Sequence, residues 1–358
     1  MKVQIKPHTL HFHQPAGTSR GVYTTRKVWY VSLHDSNIPE HIGTGECAPL
    51  PKLSCDDIED YESLLGHFCH ILETENNKDS TTEKEAFISD ELREQLRPYP
   101  SIMFGLETAV WHYNRRTTAL SDTLFGKGER GIQINGLIWM GRYDEMNKRI
   151  EDKLNQGFSC IKLKIGAIGF DEEVELLHNI RNRFSKDVIQ LRVDANGAFS
   201  PGDDALQKLN QLSKLDIHSI EQPIMAGQWQ EMAHLCRNTP LPIALDEELI
   251  GTNDTLLKHE LLDTIRPQYI ILKPSLHGGI CGSDEWISMA EQRHIGWWAT
   301  SALESNIGLN AIAHWCATLQ EQREKRTWIP QGLGTGQLFT DNIPMPLRII
   351  GEQLWYQS

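Results

Sequence analysis

Lys164, Asp194, Glu221, Asp246 and Lys273 fall in the order lysine, acid, acid, acid, lysine. They are separated by 30 residues (164 to 194), then 27, 25 and 27. Each ends, or nearly ends, a short run rich in apolar residues: Cys160–Ile165, Ile189–Asp194, Ile217–Glu221, Pro242–Asp246 and Tyr269–Lys273. One acid at such a position is ordinarily a helix cap or a surface residue, and the chain has 48 acids to draw from. Five charges in step are a different matter. The spacing matches one strand–loop–helix–loop unit, so all five converge on one mouth of a parallel barrel, where such barrels carry out their chemistry.

Three carboxylates meeting in one buried mouth repel each other unless a cation neutralises them. Oxygen-only ligands suit a hard divalent ion. Mg²⁺ fits best, with Mn²⁺ as a substitute, and the absence of His or Cys from the set speaks against zinc. The lysines then have a task. A proton beside a carboxylate leaves only if the resulting enediolate is stabilised, which a bound divalent ion can do. In Lys162-Leu163-Lys164 the two lysines lie two apart on a strand and share a face. Lys162, with the metal, is expected to push the pKa of Lys164 down, leaving Lys164 as the neutral base. Arg192 and Asn196 share the face of Asp194 and are expected to bind substrate or order the metal shell.

The elements that must hold these groups begin near residue 132. From there, short apolar runs alternate with amphipathic helices: Ile132–Leu137, the five runs above, Gly296–Thr300, and a weaker one near Ile329–Leu333. Eight runs separated by helices predict a parallel TIM-type barrel over residues 126–335. Residues 1 to about 50 alternate as strands, and about 55 to 120 read as helices, so 1–125 is expected to form an α+β domain. The polar stretch Glu73–Ser80 reads as a loop interrupting those helices. The tail 336–358, with Leu347-Arg348-Ile349-Ile350, is expected to return to the first domain.

Composition bounds the alternatives. The 358 residues are 39% hydrophobic and 23% charged, a globular balance calling for two domains or one large barrel. A net charge of -13, with no basic cluster, argues against nucleic acid as a partner. The start, MKVQIKPHTL, lacks a signal-peptide core, and no apolar run approaches membrane-spanning length. Seven scattered cysteines without CxxC spacing suit reduced thiols in a cytosol.

The Lys162–Lys164 pair, Asp194-Ala195-Asn196, Ile220-Glu221-Gln222-Pro223, Leu245-Asp246-Glu247 and Leu272-Lys273-Pro274 together resemble the muconate-lactonising branch of the enolase superfamily. The resemblance covers nearly the whole chain and implies an α+β capping domain on a (β/α)7β barrel. Within that branch, the segments Ile134–Gly141 and Thr300–Gly308 resemble the o-succinylbenzoate synthases. That likeness implies a hydro-lyase of menaquinone biosynthesis, dehydrating a succinyl-hydroxycyclohexadiene carboxylate to an aromatic ring. It also implies Lys164 as base, Asp194, Glu221 and Asp246 as Mg²⁺ ligands, and Lys273 as the cation stabilising the enediolate. Lys162, Arg192, Asn196, Ser301 and Gly21 are expected to bind substrate or support the site. N-succinylamino-acid racemases and dipeptide epimerases of the branch share the five residues, so these identify the first half-reaction rather than the product. Against an epimerase, Gln331–Gly336 lacks the acidic pair that family uses to hold the substrate amine. A non-catalytic metal-binding barrel is a third reading, but it has no use for Lys164 and Lys273.

Weaker features are a flexible stretch at Gly17–Val22, where the family places a lid and a plain surface hairpin fits nearly as well, and Gly45–Pro51, which reads as a second capping segment or a structural turn. Gly332, Gly334 and Gly336 offer an anion nest, or simply a turn. His8, His11 and His13 are spaced like possible metal ligands, but the alternation His11-Phe12-His13 reads as the exposed face of an edge strand.

Overall fold

The computed structural model describes residues 1–18, 21–78, 85–323 and 328–357. The chain opens with β1 (Lys2–Thr18), β2 (Gly21–His34) and β3 (Ile42–Cys47), an antiparallel sheet with β2 in the middle. Alternation explains it: Val31 and Leu33 of β2 are fully buried and pack beneath helices α1 (Tyr61–Asn77), α2 (Asp90–Leu96) and α3 (Pro100–Arg115). Close approach of β3 to α3 demands glycine on both sides. A Cβ on Gly45 would lie 1.9 Å from the carbonyl oxygen of Gly105. As an edge strand, β1 leaves His11 and His13 exposed, with the His11 ring 2.8 Å from Asp341.

One expectation fails here. Residues 73–77 are not a loop but the last turn and a half of α1. Asn76 bonds back to the Leu72 carbonyl and the Phe87 backbone, giving the polar residues partners within the helix and its neighbour; Asp79 and Ser80 lie outside the described residues. The described part of the Gly17–Val22 stretch follows the hairpin reading. Strand pairing continues to Thr18↔Gly21, and Gly21, exposed at φ 127°, begins β2. Ser19 and Arg20 lie outside the described residues.

The barrel follows as β4 (Ile132–Gln133), β5 (Gly136–Ile138), α4 (Tyr143–Asn155), β6 (Cys160–Lys164), α5 (Phe170–Arg183), β7 (Gln190–Asp194) and α6 (Asp203–Ser213). It continues through β8 (Ser219–Glu221), α7 (Trp229–Asn238), β9 (Ile243–Leu245), α8 (Thr255–Ile265), β10 (Tyr269–Leu272), α9 (Gly279–Gln292), β11 (Gly296–Ala299) and α10 (Asn306–Gln322). Strands β5 to β11 form one parallel sheet in chain order, sealed by buried aliphatic residues of strands and helices. The weak eighth run is a stave of isolated bridges, Ile134↔Gln331 and Thr300↔Gly332, which join both edges of that sheet. The first expected run is split: β4 turns away to pair with the C-terminal hairpin β12 (Leu347–Ile350) and β13 (Gln353–Tyr356). The tail therefore meets both parts of the molecule. Phe339 bridges to Phe12 of β1, whereas Leu354 and Tyr356 join the barrel core. Among the described residues, no helix is long and apolar enough to cross a membrane, and all seven cysteines are free.

Candidate active site at the barrel mouth

Strand register assembles the five charges. Lys164 pairs with Asp194 across β6 and β7, and Asp194 with Glu221 across β7 and β8. Glu221 pairs with Ala244, so Asp246, two residues on, returns to the same face. Lys273 directly follows β10. The sheet order thus places the three acid-bearing strands between the two lysine-bearing ones.

Asp194, Glu221 and Asp246 are at most 2% exposed. The Lys162 ammonium lies 2.9 Å from Asp194 Oδ2 and also bonds Glu221 Oε2, so those two carboxylates share one cation. Lys164 Nζ donates to Asp194 Oδ2 at 3.0 Å and Asn196 Oδ1 at 2.9 Å; Lys273 Nζ bonds Asp246 Oδ2. Burial alone would push the Asp194 carboxyl up, but Lys162 and Lys164 together hold it below the usual carboxylate range. At Glu221 the balance reverses: burial first, then Asp194, raises it, and Asp246 adds to the effect. Against the pull of burial, the acids keep Lys162 and Lys273 cationic. The pocket is therefore a desolvated acid cluster in need of positive charge.

The donor set suits a hard cation. All three candidate ligands offer carboxylate oxygen, and two of their oxygens, Glu221 Oε1 and Asp246 Oδ1, are buried without a hydrogen-bond partner. Orphaned acceptors of this kind are expensive unless something positive binds them. Among the described residues no three His, Cys, Asp or Glu side chains already form a ready metal cage, because the lysine ammoniums stand among the acids. The residues fit Mg²⁺ in chemistry, with lysines in the role of counterion.

Residues beyond the five give the site its shape. Asn196, at φ 44°, has its backbone N–H bonded to Asp194 Oδ1 and joins Lys164 to Glu247 through its amide, Nδ2 donating to Oε1 at 2.9 Å. Gln222 Oε1 accepts from the backbone N–H groups of Asp246 and Glu248, fixing the turn that carries Asp246. His277, pushed down to about 3 by burial, keeps a neutral ring whose Nδ1 accepts from the Lys273 backbone N–H. The motifs around Glu221 and Asp246 contained Gln222 and Glu247, but their positions did not reveal what they hold. Trp139, Trp298, Leu50 and Leu53 complete the walls.

The other expected residues separate. Lys162, Asn196 and Ser301 line the pocket, as do Gly332 and Gly334; Gly336 and Gly21 do not. Arg192 also lies off the lining. It is 1% exposed, stacks 4.6 Å from the Trp298 ring and donates to the Pro330 carbonyl, bracing the pocket floor and the eighth stave. Strand alternation gave its face correctly but not its depth.

A family model described as enolase C-terminal domain-like matches residues 145–349. The chain belongs to that family. It is 45% identical to the o-succinylbenzoate synthase of Desulfotalea psychrophila, over 98% of each chain. It is 25% identical to the L-Ala-D/L-Glu epimerase of Bacillus subtilis, over 84% of this chain and 79% of that one. Among solved structures, MenC from Desulfotalea psychrophila superposes with a TM-score of 0.82 at 40% identity, covering 99% of both chains. The o-succinylbenzoate synthase of Thermosynechococcus elongatus, a structure with Mg in its active site, shares the fold at a TM-score of 0.72 and 22% identity, covering 96% of both chains. Within this family, the expected capping sheet and parallel barrel are both present.

Proposed function

We infer that this enolase-family protein is an o-succinylbenzoate synthase, converting 2-succinyl-6-hydroxy-2,4-cyclohexadiene-1-carboxylate to 2-succinylbenzoate and water on the way to menaquinone. The full-length identity of 45% to a synthase carries the choice of reaction, because the epimerase and racemase relatives compared with it match at 23–28%. The lysine–acid–lysine register supports the first half-reaction, common to all of them.

In this reading Asp194, Glu221 and Asp246 hold Mg²⁺, with Mn²⁺ accepted in its place. The bound ion would neutralise the charge that develops on the substrate carboxylate as the α-proton leaves. Lys164 takes that proton from C1 at Nζ, held in position by the Asn196 amide. The hydroxyl at C6 departs, and the proton and hydroxide together make the water lost. Lys273, on the far side of the acids, remains a cation facing the ring. Lys162 keeps its positive charge between Asp194 and Glu221. Residues 1–125 act as the capping domain and 126–335 as the catalytic barrel; the free thiols suit a cytosolic enzyme whose partner is its small-molecule substrate.

The test pairs an ultraviolet assay on the cyclohexadiene acid with a racemisation assay on N-succinyl amino acids, and adds α-proton exchange in D₂O. The synthase reading expects a larger kcat/KM in the first assay and no exchange in Lys164→Ala. Faster racemisation would reverse the choice of reaction, and exchange surviving in Lys164→Ala would remove the base.

A further inference from the structure

Three fully or nearly fully buried charges lie outside the acid cluster, where the capping sheet meets the pocket wall: Arg26, Glu46 and Glu304, at 2%, 0% and 0% exposure. Arg26 comes from β2 and Glu46 from β3, whereas Glu304 lies in the turn between β11 and α10. Placing a guanidinium there is costly, since an apolar side chain of similar volume would often serve stability as well. What the charge does is visible in its bonds. Arg26 Nη1 donates to the carbonyl of Ala302 and Nη2 to the carbonyl of Ala48, at 2.5 Å for the latter.

Those two carbonyls come from the two parts of the molecule, Ala48 just after β3 and Ala302 after β11. Ala48 begins the capping segment that supplies Leu50 and Leu53; Ala302 is the centre of Ser301-Ala302-Leu303, all three of which line the pocket. One rigid fork therefore sets the separation of the cap wall and the barrel wall. A lysine, with a single point of attachment, cannot fix two carbonyls in one plane in the same way.

The barrel segment needs such a hold. Leu303 has φ 64°, a left-handed conformation that costs a non-glycine residue of order 1 kcal/mol or more and persists only where its surroundings impose it. The surroundings are on both sides of it. Glu304 Oε2 accepts from Ala302 N–H at 2.7 Å, and its Oε1 accepts from Ser275 Oγ, two residues after Lys273. Glu46 accepts from Ser305 N–H at 2.8 Å, Ser305 Oγ at 2.5 Å and Gly308 N–H at 2.9 Å, capping α10. The strained residue is thus pinned from the cap domain in front and behind.

We propose that Arg26 is a positioning residue for substrate specificity, clamping the cap segment at Ala48 to the barrel segment at Ala302 so that Leu303 and Ser301 meet the part of the substrate remote from the reacting carbon. The inference rests on the synthase reading of the same pocket. Among the described residues, the hydrogen bonds of Arg26 go to Ala302 and Ala48 and not to the lysines or the three acids, whose geometry the strands set, so its loss loosens substrate fit while sparing the proton transfer.

The experiment compares wild type, Arg26→Lys and Arg26→Met with Mg²⁺ present, reading kcat, KM and thermal midpoint. Turnover by the wild type tests the reaction itself and is independent of the clamp. The expected result is a KM raised on the order of 10-fold in Arg26→Met, a smaller rise in Arg26→Lys, and kcat within a few-fold of wild type in both. A lowered midpoint with KM unchanged would reduce Arg26 to a stabilising residue and overturn the proposal. So would a fall in kcat at constant KM, or failure of both variants to fold.

Discussion

Asp56 offers a pH test of how burial and hydrogen bonding compete at the start of α3, the helix whose Glu107 accepts from the backbone N–H groups of Ile280 and Cys281 in the first turn of α9. The carboxyl is 1% exposed. Its Oδ2 accepts from Ser101 N–H at 2.8 Å and Ser101 Oγ at 2.6 Å, but Oδ1 is buried with no partner. Burial outweighs the two bonds and raises the group from 3.8 to about 6. A raised folded value means that the stabilisation is complete below the unfolded value and is lost as pH climbs through the folded one. Over the whole titration this amounts to about 3 kcal/mol, of which about 1 kcal/mol falls between pH 5 and pH 8. Asp56→Asn keeps an acceptor for Ser101 and does not titrate, so it serves as the reference. Urea unfolding of both proteins at the two pH values should show wild type losing about 1 kcal/mol relative to Asp56→Asn on going from pH 5 to pH 8. A difference that stays constant, or one that moves in wild type's favour with rising pH, would refute the reasoning. It would mean that the two Ser101 bonds, not burial, decide the charge state.

Two other outcomes test the site and its wall. Protein stripped with chelator should gain stability on Mg²⁺ addition by about 2.7 kcal/mol at 100 times Kd, read as a rise in thermal midpoint; Asp194→Asn should abolish the rise, and an insensitive wild type would remove the metal assignment. Leu303→Gly should be more stable than Leu303→Ala by about 1 kcal/mol in urea unfolding, because only glycine adopts φ 64° freely, and equal stability would show that the turn relaxes without strain.

The sequence by itself determined which residues share the barrel mouth. Strand alternation and a recurrence of 25 to 30 residues (194 to 221 to 246, and 164 to 194) are local quantities, and a parallel barrel converts them directly into convergence at one end. Lys164, Asp194 and Glu221 accordingly stand side by side in register. Depth, by contrast, was not legible. Arg192 shares the face of Asp194, yet stacking under Trp298 makes it part of the floor. Helix length was misread at residues 73–77 because polar residues that look like a loop found partners within the helix and at Phe87. The eighth stave was faint because it closes the ring through isolated bridges rather than a regular ladder. Above all, the clamp of Arg26 on Ala302 joins residues 276 apart, and Glu46 caps a helix from 259 residues away. No periodicity encodes such contacts. They arise only when two separately patterned layers are pressed together, and what fits between them is then decided by shape and by the need to satisfy every buried charge.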